Sequence, residues 1–263
     1  MACAWNGIGP RAEQTVPAAI TKLAPPDTGF RGSELADDSI VRVVVGEVAC
    51  TGTLIAADQV LTAHHCLAER GPDGEYLERD VHPRQISVEL GGGFLPWGEV
   101  SVRTIVAPNC GYAAGEGDMA ILILDEPLRS VEVKAVGLDD PIQPNASVEP
   151  VGFGRCTDSP EGVRRHTRSG GAIGQVYTRR FRAPAAICPG DSGGPALNEA
   201  GRVIGVVSAS AMDDHQSTLD LTEFTRVNGW RELFAVASSV AAGVSLAELP
   251  PVTCPATSES NEP

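Results

Sequence analysis

Short β-branched runs, each closed by turn residues, constrain this chain more than any other feature. The stretch "SIVRVVVGEVACTGTLIAADQVLTAHHC", Ser39 to Cys66, alternates Val/Ile/Thr-rich segments with Gly, Ala-Asp and similar breaks. "QISVEL", "VSVRTIV" and "MAILIL" continue it to Leu124. Such runs form half-buried antiparallel strands. After "DEPLRSVEVKAVGLDDPIQPN", rich in Pro and charge, a second set follows: "SVEPVGF", "AIGQVYT", "PALN", "VIGVVSAS" and "TEFTRV". The 29 Gly and 20 Pro suit many turns and disfavour long helices. Only "GWRELFAVASSVAAGVSLAEL" has helical spacing, with Leu233, Phe234, Val236, Ala237, Val240 and Ala241 on one face.

These runs divide the chain into an irregular arm (1–37), a first strand set (38–126), a connection (127–144), a second strand set (145–228), a helix (229–249) and a polar tail (250–263). No internal repeat is visible. The net charge of −14 argues against a nucleic-acid partner and serves solubility. No apolar stretch is long enough to span a membrane. "MACAWNGIGP" has neither a basic nor an apolar leader region, yet seven cysteines suit an oxidising compartment. An exported protein whose signal has been removed reconciles the two. A cytosolic protein with free thiols is the alternative.

Two motifs carry chemistry. "CPGDSGGP", Cys188 to Pro195, sets a serine in a Gly-rich turn between apolar segments. Bare "GDSG" is as often a plain tight turn; the longer string is much less common by chance. A serine hydroxyl needs a base to act as a nucleophile, and "LTAHHC" offers His64 and His65. The base needs a carboxylate to hold its tautomer, and Asp118 opens the apolar run "MAILIL". The turn's own backbone N–H groups at Gly190 and Ser192 would face a developing oxyanion.

Together "GDSGGP" and "LTAHHC" resemble the chymotrypsin/trypsin family of serine proteases. The likeness spans about residues 38–242 and includes "VGFG", "VVSAS" and "TEFTRV". It implies an all-β fold of two packed six-stranded antiparallel β-barrels with a C-terminal α-helix. It implies His65 as general base, Asp118 as orienting carboxylate and Ser192 as nucleophile, in the chain order of that family. His64 stands where the family has Ala and is expected to be a partly buried or surface spacer. Asp191 is expected to pair with a freshly cut N-terminal ammonium. The usual Ile-Val-Gly-Gly is absent; Ile20, then Ile8 and Val16, are the candidates for a new N-terminus, and a chain needing no cleavage is the other possibility.

The resemblance also implies disulfides Cys50–Cys66, Cys156–Cys188 and Cys110–Cys254, leaving Cys3 over as a lipid-anchor site or a free thiol. Metal binding is the rival reading of these cysteines, but no C-x-x-C or H-x-x-H spacing supports it. No cofactor is expected. The implied primary specificity pocket has Ala186 at its base with Ile187 beside it, and Ser208, Ser210 and Thr222 along its walls. Small aliphatic P1 residues would suit it. The arginines of "RRHTRSGGAIGQVYTRRFR" are expected on a solvated loop, or at a site for another protease or an acidic partner. The expected partners are a protein or peptide substrate and an activating protease. The expected activity is that of an exported serine endopeptidase. An esterase-like hydrolase, or a latent homologue that binds without turnover, is the alternative.

Overall fold

A computed structural model describes residues 37–156, 163–212 and 218–254. The first half contains β1 (Ile40–Val45), β2 (Val48–Ala56), β3 (Gln59–Thr62), β4 (Ala68–Arg70), β5 (Tyr76–Asp80), β6 (Ile86–Leu90), β7 (Gly98–Val106) and β8 (Ala120–Leu124). Six of these close into a barrel in the order β1-β2-β3-β8-β7-β6, while β4 and β5 form a separate hairpin. Every residue of β8 is buried, which explains why its sequence shows no alternation. In β6 the buried positions alternate strictly, Ile86, Val88 and Leu90 facing the barrel interior.

The second half contains β9 (Glu149–Gly152), β10 (His166–Thr167), β11 (Gln175–Val176), β12 (Arg180–Ala183), β13 (Pro195–Leu197), β14 (Val203–Met212) and β15 (Thr218–Arg226). They form one seven-stranded sheet in the order β10-β9-β13-β14-β15-β12-β11. The segment 170–174 curls its two ends together. Ala172 bridges Ser147, just before β9, and Gly170 bridges Ala185, just after β12. Single bridges, not a continuous ladder, thus link this segment to the chain beside β9 and β12. The loop residues there (Gly170, Gly171 and Gly174) form no regular strand.

The helix α1 (Arg231–Ala241) is shorter than the span 229–249 expected from sequence; after Gly243 the chain makes only a short 3₁₀ turn. Its buried face, Leu233, Phe234, Val236, Ala237 and Val240, packs on β7 and β8 of the first barrel. One apolar cluster therefore joins the first barrel, α1 and Val151, Phe153, Val203 and Val206 of the second half. A second, smaller cluster is built around Phe181 and Phe224, stacked with centroids 5.0 Å apart. Phe181 is fully buried. Phe181→Ala is expected to cost about 3–5 kcal/mol, because the closed sheet cannot collapse into the void. A urea titration of wild type and variant, followed by tryptophan fluorescence, measures it.

Candidate active site

The pairing of β3 with β8 sets Thr62 opposite Ala120. In an antiparallel pair the residues just past Thr62 and just before Ala120 leave the sheet at the same edge. His65 and Asp118 therefore meet, although 53 positions separate them. Asp118 accepts from the His65 backbone N–H through Oδ1 at 2.9 Å, and its Oδ2 lies 2.8 Å from His65 Nδ1. Asp118 is fully buried. A carboxylate in that position fixes the imidazole's orientation and leaves Nε2 as the working nitrogen.

Asp118 Oδ2 also accepts from Ser208 Oγ at 2.6 Å. Ser208 sits at a bulge, where the β14–β15 register slips between Val207 and Ala209. Bulges re-aim side chains in this way. Ser208, expected on a pocket wall, is thus also a partner of Asp118. Its hydroxyl in turn accepts from the Gly115 N–H at 3.2 Å.

Ser192 lies half-buried on the turn that enters β13. Thr51 on β2 ties that turn to the first barrel. Its N–H donates to the Ser192 carbonyl at 2.8 Å and its hydroxyl to the Gly190 carbonyl at 2.7 Å. Cys66, beside His65, brings its sulfur within 3.9 Å of the Ser192 carbonyl and 3.8 Å of His65 Nε2. Ser192 and the His65 ring therefore flank one disulfide. Gly190 has φ +102°, a region closed to most side chains.

Asp191, between them, is buried. It accepts from the Gly154 and Cys188 amides at 2.7 and 2.8 Å. Its counter-ion is Arg168, with Nε 2.8 Å from Oδ2 and Nη2 donating to Oδ1 at 3.1 Å. The Nε contact is an ion pair without an aligned hydrogen bond. The cation on Asp191 thus comes from inside the chain; the expected N-terminal candidates Ile8, Val16 and Ile20, like Cys3, lie outside the described residues.

Arg168 belongs to the arginine-rich stretch, and its neighbours correct the picture of a solvated loop. Arg165 pairs with Asp38 of the first half. Arg180 and Arg182 pair with Glu223. The Arg179 guanidinium lies 4.1 Å from the Trp230 ring centroid. These cations answer fixed internal partners on distant segments. Burial pushes the Asp38 carboxyl above its ordinary range, and Arg165 opposes that shift.

His64 is a second correction. It is fully buried, with Nδ1 2.6 Å from the Cys110 carbonyl and Nε2 2.8 Å from Asp80 Oδ1. The Tyr112 ring lies against it at 4.3 Å. Burial, then the charges of Asp80 and Glu78, push the Tyr112 phenol up. Sequence reasoning missed these residues because only the fold brings them to His64; the one available signal was a histidine in place of Ala.

Of the remaining pocket residues, Ala186 is exposed and Ile187 packs into the second core. Thr222 is buried, donates to the Ala185 carbonyl at 3.2 Å, and pairs in register with Ser210. The Ser210 side chain lies outside what is described. The structure joins Cys50 to Cys66, Cys110 to Cys254 and Cys156 to Cys188. His65, Cys50 and Cys66 cluster closely enough to suggest a metal site, but the two sulfurs are bonded to each other and offer no thiolate. A cavity of about 410 Å³ opens between Tyr112, Asp80 and the C-terminal segment at Leu246 and Val252; neither His65 nor Ser192 lines it. Among the described residues no helix is long and apolar enough to cross a membrane.

Known proteins resemble this chain in sequence or in fold. The chain is 28% identical over 206 residues to an uncharacterized peptidase of Corynebacterium glutamicum, covering 73% of this chain and 64% of that protein. It is 28% identical over 193 residues to the cercarial protease of Schistosoma mansoni, covering 60% of this chain and 69% of that one. Among solved structures it is similar to a Glu endopeptidase in complex with MPD (TM-score 0.61, 20% identity, covering 77% of this chain and 91% of that one). It is equally similar to a scabies mite inactivated protease paralogue (TM-score 0.61, 20% identity, covering 80% and 94%). The sequence model of the Trypsin family matches residues 29–231. The chain, with its closed β-barrel and C-terminal helix, belongs to the trypsin family.

Proposed function

We propose that this protein is a serine endopeptidase that works through an acyl-enzyme on Ser192. The observation that carries the reading is the grip of Asp118 on both the backbone N–H and Nδ1 of His65, beside the disulfide that Ser192 also touches. In the first step the Ser192 Oγ–H proton passes to His65 Nε2 as Oγ bonds to the substrate carbonyl carbon. The carbonyl π pair moves onto oxygen. In the turn, the amides of Asp191, Gly193 and Gly194 donate to Cys188, Val207 and Asp191 carbonyls. The Gly190 and Ser192 amides are the donors assigned to the oxyanion. The C–N bond then breaks and the leaving amine takes the proton from His65. Water repeats the sequence on the ester and frees Ser192. Asp118 stays ionised throughout and stabilises the imidazolium. With three disulfides, the protein is assigned to an oxidising, exported setting.

A fluorophosphonate probe is expected to label Ser192 stoichiometrically. Ser192→Ala is expected to abolish labelling and reduce turnover to a residual of about 10³–10⁴ over water. A folded wild-type chain that neither labels nor cleaves would instead place it with binding homologues.

For specificity, no carboxylate stands at Ala186, and the Thr222 hydroxyl donates to the Ala185 carbonyl beside it. A P1 library is expected to show fastest cleavage after Ala or Val, with about 10–200-fold discrimination against neighbouring sizes. Fastest cleavage after Arg or Lys would refute the pocket assignment.

The same reading extends to activation. Arg168 already neutralises buried Asp191, so the turn carrying Ser192 needs no ammonium from a cut chain end. The uncut chain, verified by intact mass, is expected to label at full stoichiometry. Arg168→Met is expected to lower kcat by about 10²-fold, since it strands a buried carboxylate under the oxyanion turn. Labelling that appears only after proteolysis within the first 36 residues would show that cleavage is required.

A further inference from the structure

His64 makes contacts that the proposed mechanism leaves unused. The Cys110 carbonyl, 2.6 Å from Nδ1, can only accept, so Nδ1 carries a proton. Nε2 lies 2.8 Å from the Asp80 carboxylate. A bare Nε2 there would set one lone pair against another, so a proton lies between them as well. Asp80 supplies the balancing negative charge, Glu78 on the same strand adds to it, and the Tyr112 ring covers the imidazole. Both His64 ring nitrogens thus face acceptors, next in sequence to the residue assigned as base.

What it holds is the loop that delivers Asp118. Cys110 opens that loop. The next residue, Gly111, lies against its far end: a Cβ on Gly111 would fall 2.5 Å from the Asp118 backbone nitrogen. Gly115, further along, donates to Ser208, which donates to Asp118. The loop is therefore held at 110–112 by His64 and at 115 by Ser208, and both ends bear on one carboxylate.

We propose that His64 is a positioning residue, an imidazolium shared between Asp80 and the Cys110 carbonyl that clamps the 109–117 loop so that Asp118 keeps its hold on His65. The proposal rests on the reading of His65 and Asp118 as base and orienting carboxylate.

The test combines ¹⁵N-histidine NMR with kinetics on the full chain. The wild-type spectrum at neutral pH is expected to show both His64 nitrogens protonated, assigned by comparison with His64→Ala. His64→Ala and Asp80→Ala are expected to fold cooperatively and to lose about 10- to 100-fold in kcat, with KM little changed. Asp80→Asn is expected to rescue kcat, because its amide N–H donates to a bare Nε2 while Nδ1–H keeps the Cys110 carbonyl; its spectrum then shows one protonated nitrogen. Wild-type kcat in His64→Ala, or one bare ring nitrogen in the wild-type spectrum, would overturn the clamp. A wild-type chain without fluorophosphonate labelling would overturn the protease reading instead, and the spectrum would then decide the state of His64 alone.

Discussion

The arrangement depends on one buried carboxylate, Asp191. A charge removed from water costs several kcal/mol unless each oxygen finds donors. Two backbone amides and the Arg168 guanidinium supply them, from the segments after β9, before the Ser192 turn and after β10. Three stretches of the second half are thereby fixed to one point. Thr51 of the first barrel then seizes the same turn at its Gly190 and Ser192 carbonyls. The position of Ser192 relative to His65 follows from this pairing of a charge with its donors and from a single threonine of the first barrel.

Much of this was legible in the chain. Strand runs with turn punctuation point to an all-β fold, and the helix shows its periodicity at Leu233 to Ala241. His65, Asp118 and Ser192 could be singled out as candidates because the proposed chemistry needs those residue types and their motifs follow the order of the resembled family. The arrangement at 170–174 was not legible: the run "AIGQVYT" reads as a strand, but only Gln175–Val176 is one, and the residues before it make single bridges. The bond from Ser208 to Asp118 was not legible, because the bulge that carries Ser208 has no local sequence signal. The arginines were misread for a different reason. Their partners Asp38, Asp191 and Glu223 lie far away in sequence, and a run of like charge looks solvated until the fold delivers its counter-ions.

Acidity and internal basicity therefore have separate jobs here. The net charge of −14 belongs to the chain as a whole, while several arginines are used as fixed donors between segments. Arg168 and Arg165 are mostly shielded from water, so salt screens them far less than it would a surface pair.

The Cys110–Cys254 bridge joins the loop before Asp118 to a cysteine 144 positions later. On a ribosome, which delivers residues in order, that bond cannot form until nearly the whole described chain has emerged. The first barrel has every strand it needs by Leu124. Its loop at Cys110, which His64 already holds, nonetheless lacks its covalent tie until both the second half and α1 have been made. Shape and covalent completion are thus separated in time.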